Sequence, residues 1–426
     1  MFKRGGIAYS YAMSRVVIVG GGIIGLSCAH YLQRDGYEVI VLDRSPKLVG
    51  CSFGNAGLVS PSHFVPLASP GMISKGIRMM GNPKSPFWIR PRLNRDLLKW
   101  LWRFYRSATP VHVANCESLL RDISLLSKKL YIDLAIETDN RIGLVQKGLL
   151  VLCKQSKTLA HEAQLAKRAN QIGLSATVLC ASEVAALEPE LTLDVCGGVH
   201  FHDDGHLNPS LVMLELARDL DVRHETAVKS FEHRGDRVVS VNIGNERIEA
   251  DEFVIATGSW SGDVAKQLGV ELPMQAGKGY SMTLQSPPQL PRTSCLLVEA
   301  RVAMTPMGST LRFAGTMEIG GVDDTINPKR VQGIQESIPR YLPAFSNTFA
   351  GVNTQAQPIW NGRRPVSPDG LPYVGRFAHL DNVISASGHA MLGLSLGPAT
   401  GMVVRNILAN KSQPFDIALL KPDRFA

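Results

Sequence analysis

The sequence predicts an α/β protein of two domains, and three observations support this fold class. The chain has 426 residues, 45% of them hydrophobic, which is more than one core usually holds. A strand, a glycine-rich turn and a helix follow one another near the N-terminus, as in a parallel, doubly wound sheet. Later segments alternate short apolar strands with helices, which indicates a second, α+β domain dominated by a mixed or antiparallel sheet.

The N-terminal unit has the order of elements that binds a dinucleotide. The β-branched run Arg15–Val19 is followed by the GxGxxG sequence Gly20–Gly25 and by an apolar pattern of helical spacing that stops at Gly36. The next strand, Val39–Leu42, ends at Asp43. A lone GxGxxG is weak evidence, but here strand, helix and acid all stand where a Rossmann-like domain requires them.

Each part of this unit has a physical role in holding a nucleotide. Gly20 makes the tight turn, Gly22 lets the backbone approach a pyrophosphate, and Gly25 lets helix and strand pack closely. The helix N-terminus supplies free N–H groups and a positive dipole for the phosphates. Asp43 lies at the distance from the first glycine at which an acid accepts hydrogen bonds from the adenosine ribose. The motif by itself leaves FAD and NAD both open.

Composition excludes several other classes of function. The formal net charge is +8, but the basic residues are spread without a basic block, so we expect no nucleic-acid partner. Seven cysteines form no CxxC pair, which favours a reducing, cytoplasmic location and neither a disulfide framework nor a metal site. The apolar stretches Val16–Leu32 and Gly388–Val404 are interrupted by glycines, so neither is expected to span a membrane. Residues 1–13 lack a pattern, and Met13 is an alternative start to Met1.

Two later segments add to the nucleotide side. Val254–Ser259 is a strand that ends in small residues, which lets a backbone approach a cofactor. Ala386–Pro398 is a small-residue loop that runs into a helix over Ala399–Leu408, either a plain helix entry or a positive end that stabilises a reduced cofactor. The remaining expected elements are helices over 119–134 and 207–220, a strand over 149–152, and strands over 238–243, 247–250 and 252–256 that return to a sheet; residues 58–91 show no strong periodicity.

These features together resemble the D-amino acid oxidase superfamily of FAD enzymes, and within it the D-amino acid dehydrogenases. The resemblance runs from about Arg15 to near the C-terminus. The motifs that carry it are Ser52–Gly57, Lys278–Tyr280, Arg364–Pro365, Pro368–Gly370 within Asn361–Gly375, and Gly388–His389. It implies a discontinuous FAD-binding domain (14–62, 205–262 and 365–415), a substrate domain (63–204 and 263–364) and an extra N-terminal segment (1–13).

The resemblance also implies a set of site residues. Arg364 matches the arginine that clamps the substrate carboxylate, whereas Arg363 is expected to be a solvated surface charge. Tyr280 and His389 are candidate catalytic residues, and each is equally a candidate for a buried structural side chain. The implied cofactor contacts are Gly20, Gly22, Ile23, Ile24, Gly25, Asp43, Arg44, Ser52, Asn55, Ala56, Gly57, Thr257, Gly258, Gly388, Met391, Leu392, Gly393 and Leu394.

Two departures from the family pattern refine the expected chemistry. Gly54 stands where some relatives carry a histidine bonded to flavin, so non-covalent FAD is implied. Met391 stands where glycine oxidases carry a second arginine, which predicts a less polar pocket and a substrate other than glycine.

The implied reaction is hydride transfer from the Cα of a small amino acid, such as a D-amino acid, D-proline or a hydroxyproline, to flavin N5. It gives an imine that water converts to a 2-oxo acid and ammonia, or that stays cyclic if the substrate is proline-like, with a quinone or another carrier as electron acceptor. A sarcosine- or glycine-type oxidase that uses O2 and a non-catalytic flavin-binding subunit are the alternatives.

One further segment suggests where an acceptor is met. In Arg95–Arg106 the cations Arg95, Lys99, Arg103 and Arg106 fall on one helix face and apolar or aromatic side chains on much of the rest. The pattern fits a core helix with solvated charges, which we favour, or a helix lying on the inner face of a membrane.

Overall fold

The computed structural model describes residues 14–47, 49–92, 94–349 and 358–426; the predicted N-terminal segment 1–13 lies outside this part of the chain. The strands of the described residues are β1 Arg15–Val19, β2 Glu38–Leu42, β3 Leu58–Val59, β4 Phe87–Ile89, β5 Leu149–Cys153, β6 Ala176–Cys180, β7 Gly197–Phe201, β8 Gly205–His206, β9 Asp221–Arg223, β10 Ser230–Arg234, β11 Arg237–Asn242, β12 Arg247–Glu249, β13 Glu252–Ile255, β14 Gln275–Leu284, β15 Ser294–Leu297, β16 Val302–Met307, β17 Thr310–Ile319, β18 Ile359–Val366, β19 Tyr373–Arg376 and β20 Val383–Ser387. The helices are α1 Ile23–Arg34, α2 Met72–Met80, α3 Arg95–Ser107, α4 Pro110–Glu137, α5 Ser156–Gln171, α6 Ala181–Leu187, α7 Pro209–Ala217, α8 Ser261–Gln267, α9 Pro328–Ser337 and α10 Gly393–Leu408.

The nucleotide sheet has six strands in the order β19-β20-β13-β1-β2-β9. Its strands are parallel except β19, which pairs antiparallel with β20 at one edge. Val16 and Ile18 of β1 face a core shared with α1, α4 and α10, whereas Val17 and Val19 face a second core shared with α8 and β10–β12. Burial on both faces explains why β1 is a continuous apolar run rather than an alternating one.

The large sheet is mixed, with the order β18-β14-β17-β16-β15-β5-β7-β6 and β4 paired to β17. Its pairs are antiparallel except β15 with β5 and β17 with β4. Helix α9 packs Val331 and Ile334 against Phe313 of β17 and its apolar neighbours. The predicted fold class, a Rossmann-like domain with a second domain built on a mixed sheet, is confirmed; the residue limits of the two domains stay a prediction.

Helix α10 packs against α1 and α4 and contains a proline in its first turns. Pro398 has no N–H to donate to the carbonyl of Leu394, four residues earlier. The buried Tyr131 hydroxyl of α4 donates to that carbonyl instead, at 2.7 Å. On the other side, a Cβ at Gly401 would lie 2.5 Å from the Ser27 carbonyl of α1, so the two helices approach closely. The start of α10 is therefore held by tertiary contacts rather than by its own ladder.

Some elements differ from the sequence expectation. Strands β11 and β12 do not return to the nucleotide sheet; with β10 they form a separate three-stranded antiparallel sheet, and only β13 joins the main one. The helix predicted over 207–220 begins at Pro209 with the Asn208 side chain as its cap, but it ends at Ala217. The chain there turns into β9, which gains backbone hydrogen bonds by pairing with β2.

Two further helices were longer than predicted or missed. Helix α10 starts at Gly393, six residues before the predicted start, because Tyr131 replaces the donor that Pro398 lacks. Helix α2 lies in the segment 58–91, for which no periodicity was found, and packs Gly76 against Phe87. Packing against the β4 side chain, rather than a long apolar stripe, stabilises this short helix.

Candidate cofactor and substrate site

A cavity of about 940 Å³ lies between the carboxyl ends of β1, β2, β13 and β20 and the large sheet. Its volume is near the upper end of the range for small-molecule sites, as a large cofactor beside a small substrate would require. Crevices at the carboxyl ends of parallel strands are where α/β sheets bind ligands. The predicted residues that line the cavity are Gly20, Gly22, Ile23, Ile24, Asp43, Arg44, Ser52, Asn55, Ala56, Thr257, Gly258, Tyr280, Arg364, His389, Met391, Leu392, Gly393 and Leu394.

Three of the predicted glycines, Gly25, Gly57 and Gly388, do not line the cavity but allow close packing beside it. A Cβ at Gly25 would overlap the Gly20 carbonyl, and one at Gly388 would lie 2.7 Å from the Tyr373 ring. At Gly57 the Leu207 carbonyl occupies the same space. These three glycines therefore pack behind the residues that line the cavity.

The nucleotide end of the cavity is built by the turn after β1. The Asp43 carboxylate accepts hydrogen bonds from the Gly21 N–H at 2.6 Å and the Ser45 N–H at 2.7 Å. The Ile23 N–H donates to Ser52 Oγ at 3.0 Å, which ties the 51–57 loop to the start of α1. Among the described residues the space next to Gly22 is open, since the nearest atom to an added Cβ would be Ser52 Oγ at 3.5 Å. The backbone of the glycine-rich turn and the Asp43 carboxylate therefore line the same end of the cavity.

Arg363 is not the solvated surface charge that the sequence predicted. Its side chain is only 9% exposed, forms an ion pair with Asp324 and lines the cavity. Its guanidinium carbon lies 4.9 Å from the centre of the Trp260 ring, and that of Arg44 lies 3.8 Å from the same ring. Two cations therefore contact one aromatic side chain at the cavity wall through cation–π interactions. The prediction was wrong because Arg363 lies inside β18, paired with Lys278 of β14.

The loop residue Gly54 lies under the Trp360 indole. A Cβ at Gly54, or at Gly362 on β18, would overlap the Trp360 ring, which also lines the cavity. A histidine side chain has no room at this position. The non-covalent attachment of the cofactor stays a prediction, which this packing supports.

Arg364 presents a cation to the cavity. Its guanidinium lies against Gly279 of β14, and Nη1 donates to the Thr316 carbonyl of β17 at 2.6 Å. Burial lowers the pKa of Arg364 to about 10, so the group is still charged at neutral pH. Among the described residues no carboxylate forms an ion pair with it. A buried cation of this kind can bind an anionic ligand group.

The Tyr280 hydroxyl is already hydrogen-bonded within the protein. It donates to Glu318 Oε2 at 3.2 Å and accepts from the Asn327 N–H at 3.1 Å. Burial, as the largest cause, raises the pKa of Tyr280. The side chain is therefore a neutral part of the wall, and a contact between its hydroxyl and a substrate stays a prediction.

His389 is held against α10. Thr400 Oγ1 donates its only proton to the Leu396 carbonyl, so it accepts from His389 Nε2–H at 2.9 Å. Nδ1 is then the unprotonated nitrogen, and it has no hydrogen-bond partner among the described residues. Burial lowers the pKa of His389 to about 3, so the ring is neutral at physiological pH. Such a ring can accept a hydrogen bond but cannot serve as an acid there.

Comparison with known proteins identifies the family of this chain. The family model described as FAD dependent oxidoreductase matches residues 15–407. The chain belongs to this family. A D-amino acid dehydrogenase of Granulibacter bethesdensis is 30% identical over 97% of the chain and 100% of its own length. Glycine oxidase from Geobacillus kaustophilus (22% identity, 97% of this chain and 99% of that one, TM-score 0.75) and L-proline dehydrogenase from P. horikoshii (17% identity, 97% and 98%, TM-score 0.73) share the fold.

The residues present in this oxidoreductase fit FAD. Within the described part of the chain, four cavity-lining residues carry a buried polar atom without a hydrogen-bond partner: Ser60 Oγ, Ser259 Oγ, Arg363 Nε and His389 Nδ1. Buried polar atoms in proteins are nearly always paired, so orphans grouped at one cavity indicate a polar ligand. The open backbone at Gly22 and the Asp43 carboxylate are where the phosphates and ribose of a dinucleotide would be bound.

Sequence reasoning missed several cavity residues of the flavoenzyme. Ser60, Trp260 and Thr316 line the cavity, as do Lys75 and Arg301. None of them belongs to a local motif; strand pairing and helix packing bring them to the cavity. The less polar pocket predicted from Met391 stays a prediction. Within the described ranges, none of the helices combines the length and the apolar character of a membrane span.

Proposed function

We propose that this oxidoreductase is a D-amino acid dehydrogenase that oxidises the bond between the α-carbon and nitrogen of a small amino acid. One observation carries the proposal: the Arg364 guanidinium lies in the cavity wall without an acidic partner among the described residues. The similarity to relatives named D-amino acid dehydrogenases supports the D configuration and a dehydrogenase rather than an oxidase.

Arg364 would bind the α-carboxylate of the substrate. The Thr316 carbonyl and Gly279 fix the plane of the guanidinium, which leaves its other N–H groups for the two carboxylate oxygens. An arginine suits this role because its planar fork stays charged in a partly dry pocket. Bound FAD would accept a hydride from the substrate Cα, leaving an imine that water converts to a 2-oxo acid and ammonia.

The remaining wall would hold the cofactor. The Gly22 backbone and the start of α1 suit the pyrophosphate, and Asp43 suits the adenosine ribose. At the other end, Gly393 and Leu394 open helix α10 beside the cavity, where a positive helix end favours negative charge. The neutral His389 beside this helix positions its first turns through Thr400.

The test is anaerobic reduction of the bound flavin by a panel of D- and L-amino acids, including D-proline and the hydroxyprolines. We expect bleaching of the flavin by D-amino acids and little hydrogen peroxide when air is admitted with substrate. Peroxide formed in step with turnover would instead identify an oxidase of the sarcosine or glycine type. A flavin that no amino acid reduces would contradict catalysis and favour a flavin-binding subunit.

We also propose that electrons leave to a quinone at a membrane surface, with α3 as the contact. Leu97, Trp100 and Phe104 of α3 are buried, and Trp100 Nε1 donates to the Val366 carbonyl at 2.9 Å, so this face belongs to the core. Outside the core, Leu98, Trp102 and Tyr105 are each more than half exposed, beside Arg106. Exposed aromatic and basic side chains on one helix are typical of interfacial segments. The contact surface of α3 is thus Leu98, Trp102 and Tyr105 with the nearby cations.

This proposal differs from the four-cation stripe predicted from the sequence. Arg103 turns inward, where it pairs with Glu271 at 2.9 Å and donates to the Phe425 carbonyl, and Lys99 lies 4.0 Å from the same acid. In a flotation assay with anionic vesicles we expect binding that weakens with salt and is lost when Trp102 and Tyr105 are changed to serine. A protein that stays in solution at low salt, or a double variant that floats like the original, would exclude this surface.

A further inference from the structure

Besides Arg363 and Arg364, a further arginine next to the large sheet lines the cavity. Arg301 lines the cavity and directly precedes Val302, which pairs with Gly315 in antiparallel register. It therefore lies across from Thr316, and its carbonyl is 3.2 Å from the position of a Cβ at Gly315. Arg364 donates to the Thr316 carbonyl from the side of β14. In the strand order β18-β14-β17-β16 neighbouring strands lie about 4.8 Å apart, so about 14 Å separates the backbones of Arg301 and Arg364, and both residues line the cavity.

The charges around Arg301 leave this end of the cavity positive. Lys75 of α2 and Glu162 of α5 line the same cavity. Burial lowers the pKa of Arg301, and Glu162 is the acid that opposes this shift, yet no ion pair joins the two side chains in the described structure. Burial and the charge of Arg301 both lower the pKa of Lys75. Two cations therefore share one acid, and an anionic ligand group would relieve their repulsion.

The backbone of Arg301 has a positive φ, which is strained for an arginine. Its φ is +53°, in the left-handed region that disfavours residues other than glycine, asparagine and aspartate. It ends the loop between β15 and β16, where its N–H donates to the Val298 carbonyl at 3.3 Å. Glycine would make the same turn without strain, so the side chain is the feature that the position provides.

We propose that Arg301, assisted by Lys75, is a specificity-determining group that binds a second carboxylate, so that the preferred substrates are acidic D-amino acids of the aspartate and glutamate type. This inference rests on the proposed function, because Arg364 must bind the α-carboxylate for Arg301 to meet the side chain. The cationic end supplies recognition of the side-chain charge and takes no part in the oxidation itself.

Two measurements on the FAD-loaded protein test the inference. The first is the binding of glutarate and of butyrate, which is monitored through the change in flavin absorption. The two acids differ by one terminal carboxylate. We expect glutarate to bind at least about tenfold more tightly than butyrate. The second is the kcat/KM ratio for D-glutamate against D-glutamine, which are nearly isosteric and differ in charge; we expect a preference of similar size.

The variants Arg301→Gln and Arg301→Gly should bring both ratios close to one. Turnover of D-alanine, which has no side-chain charge, should change less than about twofold. Arg301→Gly also relieves the positive φ, so its thermal stability should equal or exceed that of the parent, which excludes misfolding as the cause. Arg292→Gln, at an exposed arginine paired with Glu190 just before β15, is the matched control and should change neither ratio.

The outcomes separate this inference from the function on which it rests. Equal binding of glutarate and butyrate, or unchanged ratios in both Arg301 variants while D-alanine bleaches the flavin, would overturn the acidic subsite alone. A glutarate preference that depends on Arg301, in a protein whose flavin no D-amino acid reduces, would support the subsite and overturn the proposed oxidation.

Discussion

At the scale of single residues, Arg364 is the side chain on which the proposed reaction depends most. Arg364→Ala should lower kcat/KM about a hundredfold or more, because the substrate carboxylate loses a partner in a partly dry site, at a cost on the order of 3 to 5 kcal/mol. The bound FAD should be retained. Steady-state kinetics with the best D-amino acid, together with the flavin spectrum, measure both effects.

The controls for Arg364 follow from its surroundings. Arg364→Lys should rescue activity poorly, since an ammonium cannot offer two parallel N–H groups. Arg363→Ala is not a neutral control, because Arg363 packs on Trp260 in the cavity wall. Arg141→Ala, at an exposed arginine paired with Glu215, is the suitable one. Near-normal kinetics in Arg364→Ala would remove the carboxylate assignment.

Two glycines of the same motif should fail in different ways. Gly22→Leu should fold but lose FAD, because the added side chain enters open space at the phosphate end of the cavity. Gly25→Leu should lose stability itself, because its Cβ overlaps the Gly20 carbonyl. Flavin content and thermal unfolding of the two variants distinguish these effects. A Gly22→Leu protein that purifies with a full complement of FAD would contradict the phosphate assignment.

Asp204 should make the free energy of unfolding depend on pH. The carboxyl is fully buried, accepts from the Ser62 N–H at 2.9 Å and pairs with the Ser62 hydroxyl; burial raises its pKa to about 7. An unfolded aspartate titrates near pH 4, so between about pH 4 and 7 the folded state binds more protons. The free energy of unfolding should therefore fall as the pH rises through this window.

Asp204→Asn keeps the shape of the side chain and should remove most of this fall. Denaturant unfolding at pH 4.5 and pH 8 measures the difference between the variant and the parent. Asp139→Asn, at an exposed loop position, should leave the pH dependence unchanged. The same pH dependence in Asp204→Asn and in the parent would show that other groups are responsible.

At the scale of elements, the start of α10 depends on a hydrogen bond from another helix. Tyr131→Phe leaves the buried Leu394 carbonyl without a donor, because Pro398 cannot supply one. The free energy of unfolding should fall by about 1 to 3 kcal/mol, and FAD should bind more weakly because Leu394 lines the cavity. Calorimetry and flavin titration measure these effects, with Tyr105→Phe at an exposed position as control. Unchanged stability would mean that water replaces the hydroxyl.

The elements also show what local sequence can predict. The strand, turn and helix of residues 15–42 could be predicted because each is determined by residues that are close in sequence. The structure confirms them at nearly the predicted limits. Strands β11 and β12 were found, but their sheet was not, since pairing partners are chosen by tertiary packing. Arg363 and Arg364 are adjacent and both line the cavity, and local pattern alone could not say which one pairs with Asp324 and which one has no acidic partner among the described residues.

At the scale of the whole molecule, all but three of the site residues predicted from the family motifs line the cavity, but its charged end was not predicted. Lys75, Glu162 and Arg301 come from α2, α5 and the loop before β16, and only the fold brings them together. No spacing in the sequence relates these positions to one another. Long-range strand pairing, such as that of β14 with β18, is the physical information that the sequence patterns lacked.

The packing of Trp360 leads to a prediction for the whole protein. The purified protein should be yellow and should release its FAD into the supernatant on acid denaturation, because the indole fills the space where a flavin-linked side chain at residue 54 would stand. Absorption of the supernatant and of the precipitate at flavin wavelengths measures this release. Flavin that stays with the precipitate would show a covalent link formed elsewhere.

The strand order of the nucleotide sheet also determines when the protein can acquire its cofactor during synthesis. Strand β1 lies between β2 and β13, and β13 pairs in turn with β20, which ends at Ser387. The helix that closes the cavity follows at Gly393. A growing chain on the ribosome therefore carries its GxGxxG segment without the strands that complete the site until the residues around 393 have been synthesised. We expect flavin to bind only after that point, so a shortage of the vitamin precursor would act on chains that already contain both sheets and would leave them as apoprotein for proteases and chaperones.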